Sequence, residues 1–330
     1  MVTSAGKRGG GANGRGHAHR PKVVLVVKRS ALRVQLEERQ DPRMMRLLDA
    51  GDPTVARMRA AHEEHEATVR EVHEALAALG VEVVQSLGTG DAFDSNGIDL
   101  VITVGGDGTL LSASHSVVDV PILGINSAPS HSVGFYCGAE LGGVARAVEQ
   151  ALKGELRRTV LTRMKVSVSG KVVAARVLND ALFCHVSPAA TSRYLIHLGD
   201  IEEEQKSSGF WIGPAAGSTA AQHSAGGKVL PLTSKKLQLV VREPYTPHGE
   251  RYRLRHAFIL PGETLVVRSK IHEGKLFIDG PYLNVDIGFG DVLEFTQAAQ
   301  SLSVLGISPT RGWGAERRTV DVSHDERREP

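Results

Sequence analysis

The stretch Val101-Ile102-Thr103-Val104-Gly105-Gly106-Asp107-Gly108-Thr109-Leu110-Leu111 constrains this chain more than any other. It opens as an uncharged, β-branched run, the pattern of a strand buried on both faces. The strand then meets Gly-Gly-Asp-Gly-Thr, and an apolar, helix-compatible segment follows. Three glycines around one carboxylate let the backbone turn tightly and bring its N–H groups close to an anion. A helix starting there adds unpaired donors and a partial positive charge, which suits phosphate. A carboxylate is out of place in such a cradle unless it contacts something other than phosphate. Two readings follow: Asp107 caps the next helix through its side chain, or it takes the proton of a reacting hydroxyl.

With 330 residues, 41% of them hydrophobic, the chain can build two cored domains or one large one. A net charge of +2 gives no bulk attraction to nucleic acid or to an anionic membrane. Aromatic residues make up only 5%, against base-stacking platforms. No apolar run nears the ~20 residues of a membrane span, and no signal-peptide core follows the start. Cys137 and Cys184 form neither a metal-ligand spacing nor a disulfide framework, so a reduced, cytoplasmic protein is expected.

Residues 1–20 are Gly-rich and basic (Lys7, Arg8, Arg15, Arg20) and read as a disordered tail, with a transit peptide as the rival. From residue 21 to 156, strands at Val23–Val27, Val81–Val84, Leu100–Val104 and Pro121–Asn126 alternate with helical patterns. The helical stretches run from Arg43 to Leu79, broken near Gly51-Asp52-Pro53, and from Ala139 to Leu156. That alternation means βαβ units and a parallel sheet. His62-Glu63-Glu64-His65 is one residue short of a zinc motif and reads as a solvated helix face. No metal ligands are assigned.

Residues 157–306 change character, with strands at Val160–Phe183 around a Ser169-Gly170 turn, Tyr194–Ile196, Leu237–Val241, Thr264–Val267, Leu276–Ile278 and Val292–Phe295. The expected architecture is an α/β half followed by a β-rich half, with a charged, mobile tail over 307–330.

Three further segments break ordinary patterning. Leu123-Gly124-Ile125-Asn126 ends a strand on a polar residue, at the sheet edge where open α/β sheets bind ligands. Leu178-Asn179-Asp180 offers an amide for an adenine edge and an acid for ribose hydroxyls; an Asx turn would use the same letters. Gly213-Pro214-Ala215-Ala216-Gly217-Ser218-Thr219-Ala220-Ala221-Gln222-His223-Ser224-Ala225-Gly226-Gly227 combines small residues with hydroxyls ahead of a short helix. Close backbone approach by a flat or anionic ligand, or a plain helix with a glycine stop, would each fit. Neither GxxxxGK[ST] nor GxGxxG occurs.

The order GGDGT, LGIN, LND and AGSTAAxxSAGG, over roughly residues 22–306, resembles the ATP-dependent NAD kinase family. GGDGT alone is shared with lipid kinases and, in close variants, phosphofructokinases; the later segments separate them. Most NAD kinases read DG…TPTGSTAY where this chain has Ser208-Gly209…Pro214-Ala215-Ala216-Gly217-Ser218-Thr219-Ala220-Ala221, so the family's acid is Ser208 and its adenine-packing tyrosine is Ala221. These departures, with Val241–Pro244, resemble the plant-type NADH kinase branch and, less closely, the mitochondrial NAD kinases.

The resemblance implies an NAD kinase-like two-domain fold with its site in the crevice between the halves. It implies transfer of the ATP γ-phosphoryl group to the adenosine-ribose 2′-hydroxyl of NAD+ or NADH. Asp107 would be the base or hydroxyl-orienting group, and the amides of Gly105, Gly106, Gly108 and Thr109 would hold phosphate, with Mg2+ spreading the charge. Carried over by motif, Asn126, Asn179, Asp180, Ser208 and the run Ser218, Thr219, Ala220, Ala221, Gln222, His223 and Ser224 line the dinucleotide site. Arg193 and Lys206 are candidates for the pyrophosphate, and a homo-oligomer is expected. A diacylglycerol- or sphingosine-type kinase and a non-catalytic nucleotide sensor are the alternatives.

Overall fold

The computed structural model describes residues 20–246, 251–281 and 283–312. The basic N-terminal run thus lies outside the described residues, except for Arg20. Strands Lys22–Val27, Glu82–Gly88, Leu100–Gly105, Ile122–Asn126 and Cys137–Glu140 pair in parallel, each carboxyl end on the same edge. The apolar runs of Lys22–Val27, Leu100–Gly105 and Ile122–Asn126 are explained by burial on both faces, whereas the edge strand Glu82–Gly88 is largely exposed. On one face Val23, Leu25, Ile102 and Leu123 pack against Val72 and Leu76 of helix Ala56–Ala78 and Val144 and Val148 of helix Val144–Leu152.

The opposite face is shared between the halves. Val24, Val101 and Ile122 pack there with Leu110 and Ala113 of helix Asp107–Ser114, and also with Leu178, Ala216 and Leu232. One core therefore holds the LND and AGSTAA segments over the GGDGT turn.

Two strands beyond position 156 also join this first sheet. Arg158–Leu161 and Leu302–Leu305 pair antiparallel to each other, and Val304 sits opposite Ile122. Where the chain crosses between the halves, Arg163 is fully buried. Its guanidinium donates to Gln300 O at 2.9 Å, Ser301 O at 3.1 Å, Ser114 O at 3.1 Å and Val117 O at 2.9 Å. Burial pushes its pKa down to about 10, which leaves it charged at neutral pH.

The rest is a sandwich of two six-stranded antiparallel sheets closing on Phe183, Tyr194, Phe210 and Phe295. No helix among the described residues is long and apolar enough to cross a membrane.

Two expectations differ from what is observed, and one strand was not anticipated. The helix expected over Ala139–Leu156 runs only from Val144 to Leu152. Gly142, at φ +83°, breaks the pattern, and Leu141 is exposed although its spacing matches the helix stripe. The helix start is instead held by Glu71, which accepts from Gly142 N at 2.6 Å and Val144 N at 3.1 Å.

Strand Ile201–Ser207 has no apolar alternation, because its inward residues Gln205 and Ser207 are polar and are satisfied by the buried Tyr194 hydroxyl at 3.1 and 2.9 Å. Residues 307–312, read as the start of a tail, are packed: Ile307 is buried, and Leu232 N donates to Pro309 O at 3.0 Å. Residues 313–330 lie outside the described residues.

Candidate active site

Asp107 is the first residue of helix Asp107–Ser114, and the cap position belongs to Gly106 without a side-chain cap bond. The carboxylate is therefore not the helix cap. Its Oδ1 accepts from the backbone N–H of Tyr136 at 2.8 Å. Thr109 N closes the first turn on Gly106 O at 3.0 Å. Around Gly108 there is open space, with no neighbour within 4 Å of where a Cβ would sit. Nothing inside the protein demands glycine at 108, whereas a ligand laid along the turn would.

Asn126 ends its strand buried, and its Nδ2 donates to Ser132 O at 2.9 Å. It thus shapes the loop that carries Tyr136, and Ser132 Oγ in that loop crowds Gly106. The same loop is held from the other side by helix Ala56–Ala78. His65 Nδ1 lies 2.8 Å from Ser127 Oγ, and Glu64 Oε1 accepts from Ser130 Oγ at 3.2 Å. His62 pairs instead with Ser30 at 2.7 Å, so the two histidines of His62-Glu63-Glu64-His65 serve separate partners. Burial lowers the His65 pKa.

Tyr136 joins the halves and was not visible as a site residue in the sequence. Its buried hydroxyl lies 3.0 Å from Asn179 Oδ1 and 2.8 Å from Ala216 O, and donates its one proton between them. Burial, then the charges of Asp107, Asp279 and Asp180, pushes its pKa well above the ordinary range, so it stays a donor.

Asn179 Nδ2 in turn donates to Asp180 Oδ2 at 3.0 Å. Both ends of the amide are engaged, and an Asx turn is not what is seen. Burial first, then nearby Asp279, lifts the Asp180 carboxyl to about 7.

Asp279 is the second residue the sequence hid. Its carboxylate accepts from Leu178 N at 2.8 Å, Asn179 N at 2.7 Å and Asp180 N at 3.1 Å. It also lies 2.9 Å from Nε2 of His115, just past the Asp107 helix. One carboxylate thereby fixes the LND backbone to the far end of helix Asp107–Ser114.

The small-residue segment forms a tight turn over Ala215–Thr219 and a short helix over Ala221–Ser224, with Ala220 between. Gly217 lies so close to Asn179 O that a Cβ there would collide with it. Gln222 is buried, and its Nε2 donates to the same carbonyl at 3.4 Å. Ser218 Oγ donates to Ala215 O at 2.7 Å and accepts from Leu230 N at 2.9 Å, so its bonds are internal. His223 and Ser224 are exposed, and Thr219 and Ala221 half-buried.

The remaining candidates are not brought to this cluster. Arg193 and Lys206 face each other across neighbouring strands, alternating with the buried Tyr194 and Gln205. They therefore lie on the outer face of the sandwich. Ser208 sits at a turn against Arg242, two residues before strand Phe210–Pro214 begins.

Among the described residues no group of three or more His, Cys, Asp or Glu is placed to hold a metal ion. Mg2+ commonly needs only one or two protein carboxylates when substrate phosphates supply the rest. Asp107 beside the open Gly108 turn fits that modest demand.

Residues 23–156 match the ATP-NAD kinase N-terminal domain family. A probable NADH kinase of Oryza sativa subsp. japonica is 34% identical over 230 residues, 63% of this chain and 71% of its own. The NADH kinase of Arabidopsis thaliana is 35% identical over 240 residues, 65% and 75% of the two chains. An NAD kinase of Clostridium perfringens is 30% identical over 204 residues, 60% and 71%.

Among solved structures, an NAD kinase from Archaeoglobus fulgidus in complex with ATP superposes with a TM-score of 0.61 at 19% identity, covering 88% of this chain and 96% of its own. Yeast NADH kinase complexed with NADH gives 0.64 at 12% identity, over 88% and 84%. The fold is that of these kinases, and the chain belongs to the NAD kinase family.

Proposed function

We propose that this protein is an NAD(H) kinase, transferring the γ-phosphoryl group of ATP to the adenosine-ribose 2′-hydroxyl of NAD+ or NADH to give NADP(H). The observation that carries this reading is the Asp107 carboxylate, free of capping duty and tethered by Tyr136 beside Asn179–Asp180. As the ribose oxygen bonds to the γ-phosphorus and the bond to the β-phosphate oxygen breaks, ADP leaves and the hydroxyl proton passes to Asp107.

Mg2+ accompanies ATP as part of the substrate and spreads phosphate charge. The turn at Gly105–Thr109 lies at a helix N-terminus, where donors and dipole favour phosphate. Asn179 and Asp180 bind the adenosine and its ribose, with the Ala216–Ser224 segment lining the pocket. Ser208 places no carboxylate near a nicotinamide, so the cationic and neutral rings are both accepted. Two unpaired thiols suit the reducing cytoplasm.

Purified protein with Mg-ATP and NAD+, NADH or diacylglycerol in parallel tests the reading. Formation of NADP(H) is expected, with kcat falling ~10²–10⁴-fold in Asp107→Asn. Turnover of diacylglycerol alone, or an Asp107→Asn enzyme within tenfold of wild type, would overturn it.

A further inference from the structure

We propose that Arg311 is a positioning residue for Asp107, acting through the turn Gly134–Cys137; the inference rests on the kinase reading above. The turn closes with Cys137 N donating to Gly134 O at 3.0 Å, and Gly134 supplies the left-handed conformation at φ +58°. Inside it lies Tyr136, whose N–H holds Asp107 Oδ1.

Arg311 spans both ends of this turn. Its Nη1 donates to Cys137 O at 2.8 Å and its Nη2 to Gly134 O at 3.1 Å, while the guanidinium carbon stands 5.8 Å from the Phe135 ring centre. A planar fork can meet two carbonyls at once, and an ammonium cannot reproduce that geometry.

The base of the clamp is itself fixed. Arg311 N donates to Ser308 O at 3.1 Å, and Thr159 Oγ1 donates to Ile307 O at 2.8 Å. Next in the chain, Gly312 lies so that a Cβ would stand 3.0 Å from both Phe135 Cε2 and Thr219 Cγ2. The C-terminal segment is therefore wedged between the turn that presents Tyr136 N–H and the Ala215–Thr219 turn. Releasing the fork lets the peptide between Gly134 and Cys137 rotate, and Asp107 loses the donor that aims it.

A double-mutant cycle on kcat tests this. Arg311→Ala is expected to lower kcat about 10- to 100-fold, the scale on which ångström misplacement acts, with both KM values within about threefold. In an Asp107→Asn background the same change should cost less than about threefold, because there is no carboxylate left to position. Arg311→Lys should not restore kcat, and it carries the test if Arg311→Ala does not fold. Added guanidinium ion should restore part of the Arg311→Ala loss. Equal kcat losses in both backgrounds, an effect confined to KM, or full activity in Arg311→Lys would overturn the proposal.

A wild-type protein that phosphorylates neither dinucleotide sinks the kinase reading instead. The clamp is then judged by amide exchange at Tyr136. Faster exchange in Arg311→Ala upholds it, and unchanged protection refutes it.

Discussion

Replacing Tyr136 by Phe separates holding from chemistry at this site. The substitution removes one oxygen and keeps the ring, so the edge contact with Phe135 at 5.2 Å is preserved and no sizeable cavity opens. What is lost is the proton shared between Asn179 Oδ1 and Ala216 O. A net hydrogen bond contributes ~0.5–1.5 kcal/mol, and a buried acceptor left dry costs ~1–3 kcal/mol. The two cannot simply be added, because one proton serves both acceptors, and a loss of about 1–3 kcal/mol is expected from urea unfolding. Asn179 keeps its bond to Asp180, so its amide is loosened rather than released. The KM for the dinucleotide should rise by up to about tenfold, the equivalent of ~1.4 kcal/mol. By contrast kcat should stay within about threefold, since Tyr136 holds Asp107 through its backbone N–H, which Phe retains. A kcat loss approaching that of Asp107→Asn, with KM unchanged, would show that the hydroxyl takes part in the phosphoryl transfer and refute this division of labour.

Gly108→Ala is expected to leave the urea midpoint unchanged or slightly raised, since nothing lies near the added methyl and alanine is the better helix former. It should raise the KM for ATP severalfold, and an unaltered KM would remove the turn from the donor site. The raised pKa of Asp180, about 7 against ~3.9 in the unfolded chain, makes the folded protein bind the extra proton between those values. Its contribution to stability is present below pH ~4 and is lost as pH climbs through 7. Asp180→Asn should therefore gain on wild type, by up to a few kcal/mol, between pH 5 and 8 in urea unfolding. Stability profiles that stay parallel would refute the shift.

The segments that announced the site are those whose signal is local. Gly105–Thr109, Leu123–Asn126, Leu178–Asp180 and Gly213–Gly227 each carry glycines or polar residues where an uninterrupted strand or helix would not. The residues that join them were illegible for the opposite reason. Asp279-Gly280 reads as an ordinary turn pair, and nothing nearby says that its carboxylate caps three amides 99 to 101 residues away. Tyr136 looks like core, and Arg311 looks like one more charge in a polar tail, although its partners lie 174 and 177 residues upstream. Local propensity likewise could not find strand Ile201–Ser207, whose buried face is polar and is satisfied by partners that include Tyr194 on the neighbouring strand and Leu254 O.

A GGDGT turn fits more than one phosphoryl acceptor, so its specificity has to come from what is packed above it. Here the packing is direct. Leu178 and Ala216 share a core with Val101 and Leu110. Tyr136 bridges the same two halves by hydrogen bonds, and His115 meets Asp279 across them. Arg163 then binds the end of the Asp107 helix to the strand crossing. A carboxylate already held by the Tyr136 N–H has less freedom to lose when substrate arrives, which is how positioning lowers a barrier. The Asn179 amide accepts from the hydroxyl of the same tyrosine whose backbone N–H holds Asp107. One residue thereby fixes both side chains, and in the proposed kinase reading this coupling sets which hydroxyl meets Asp107.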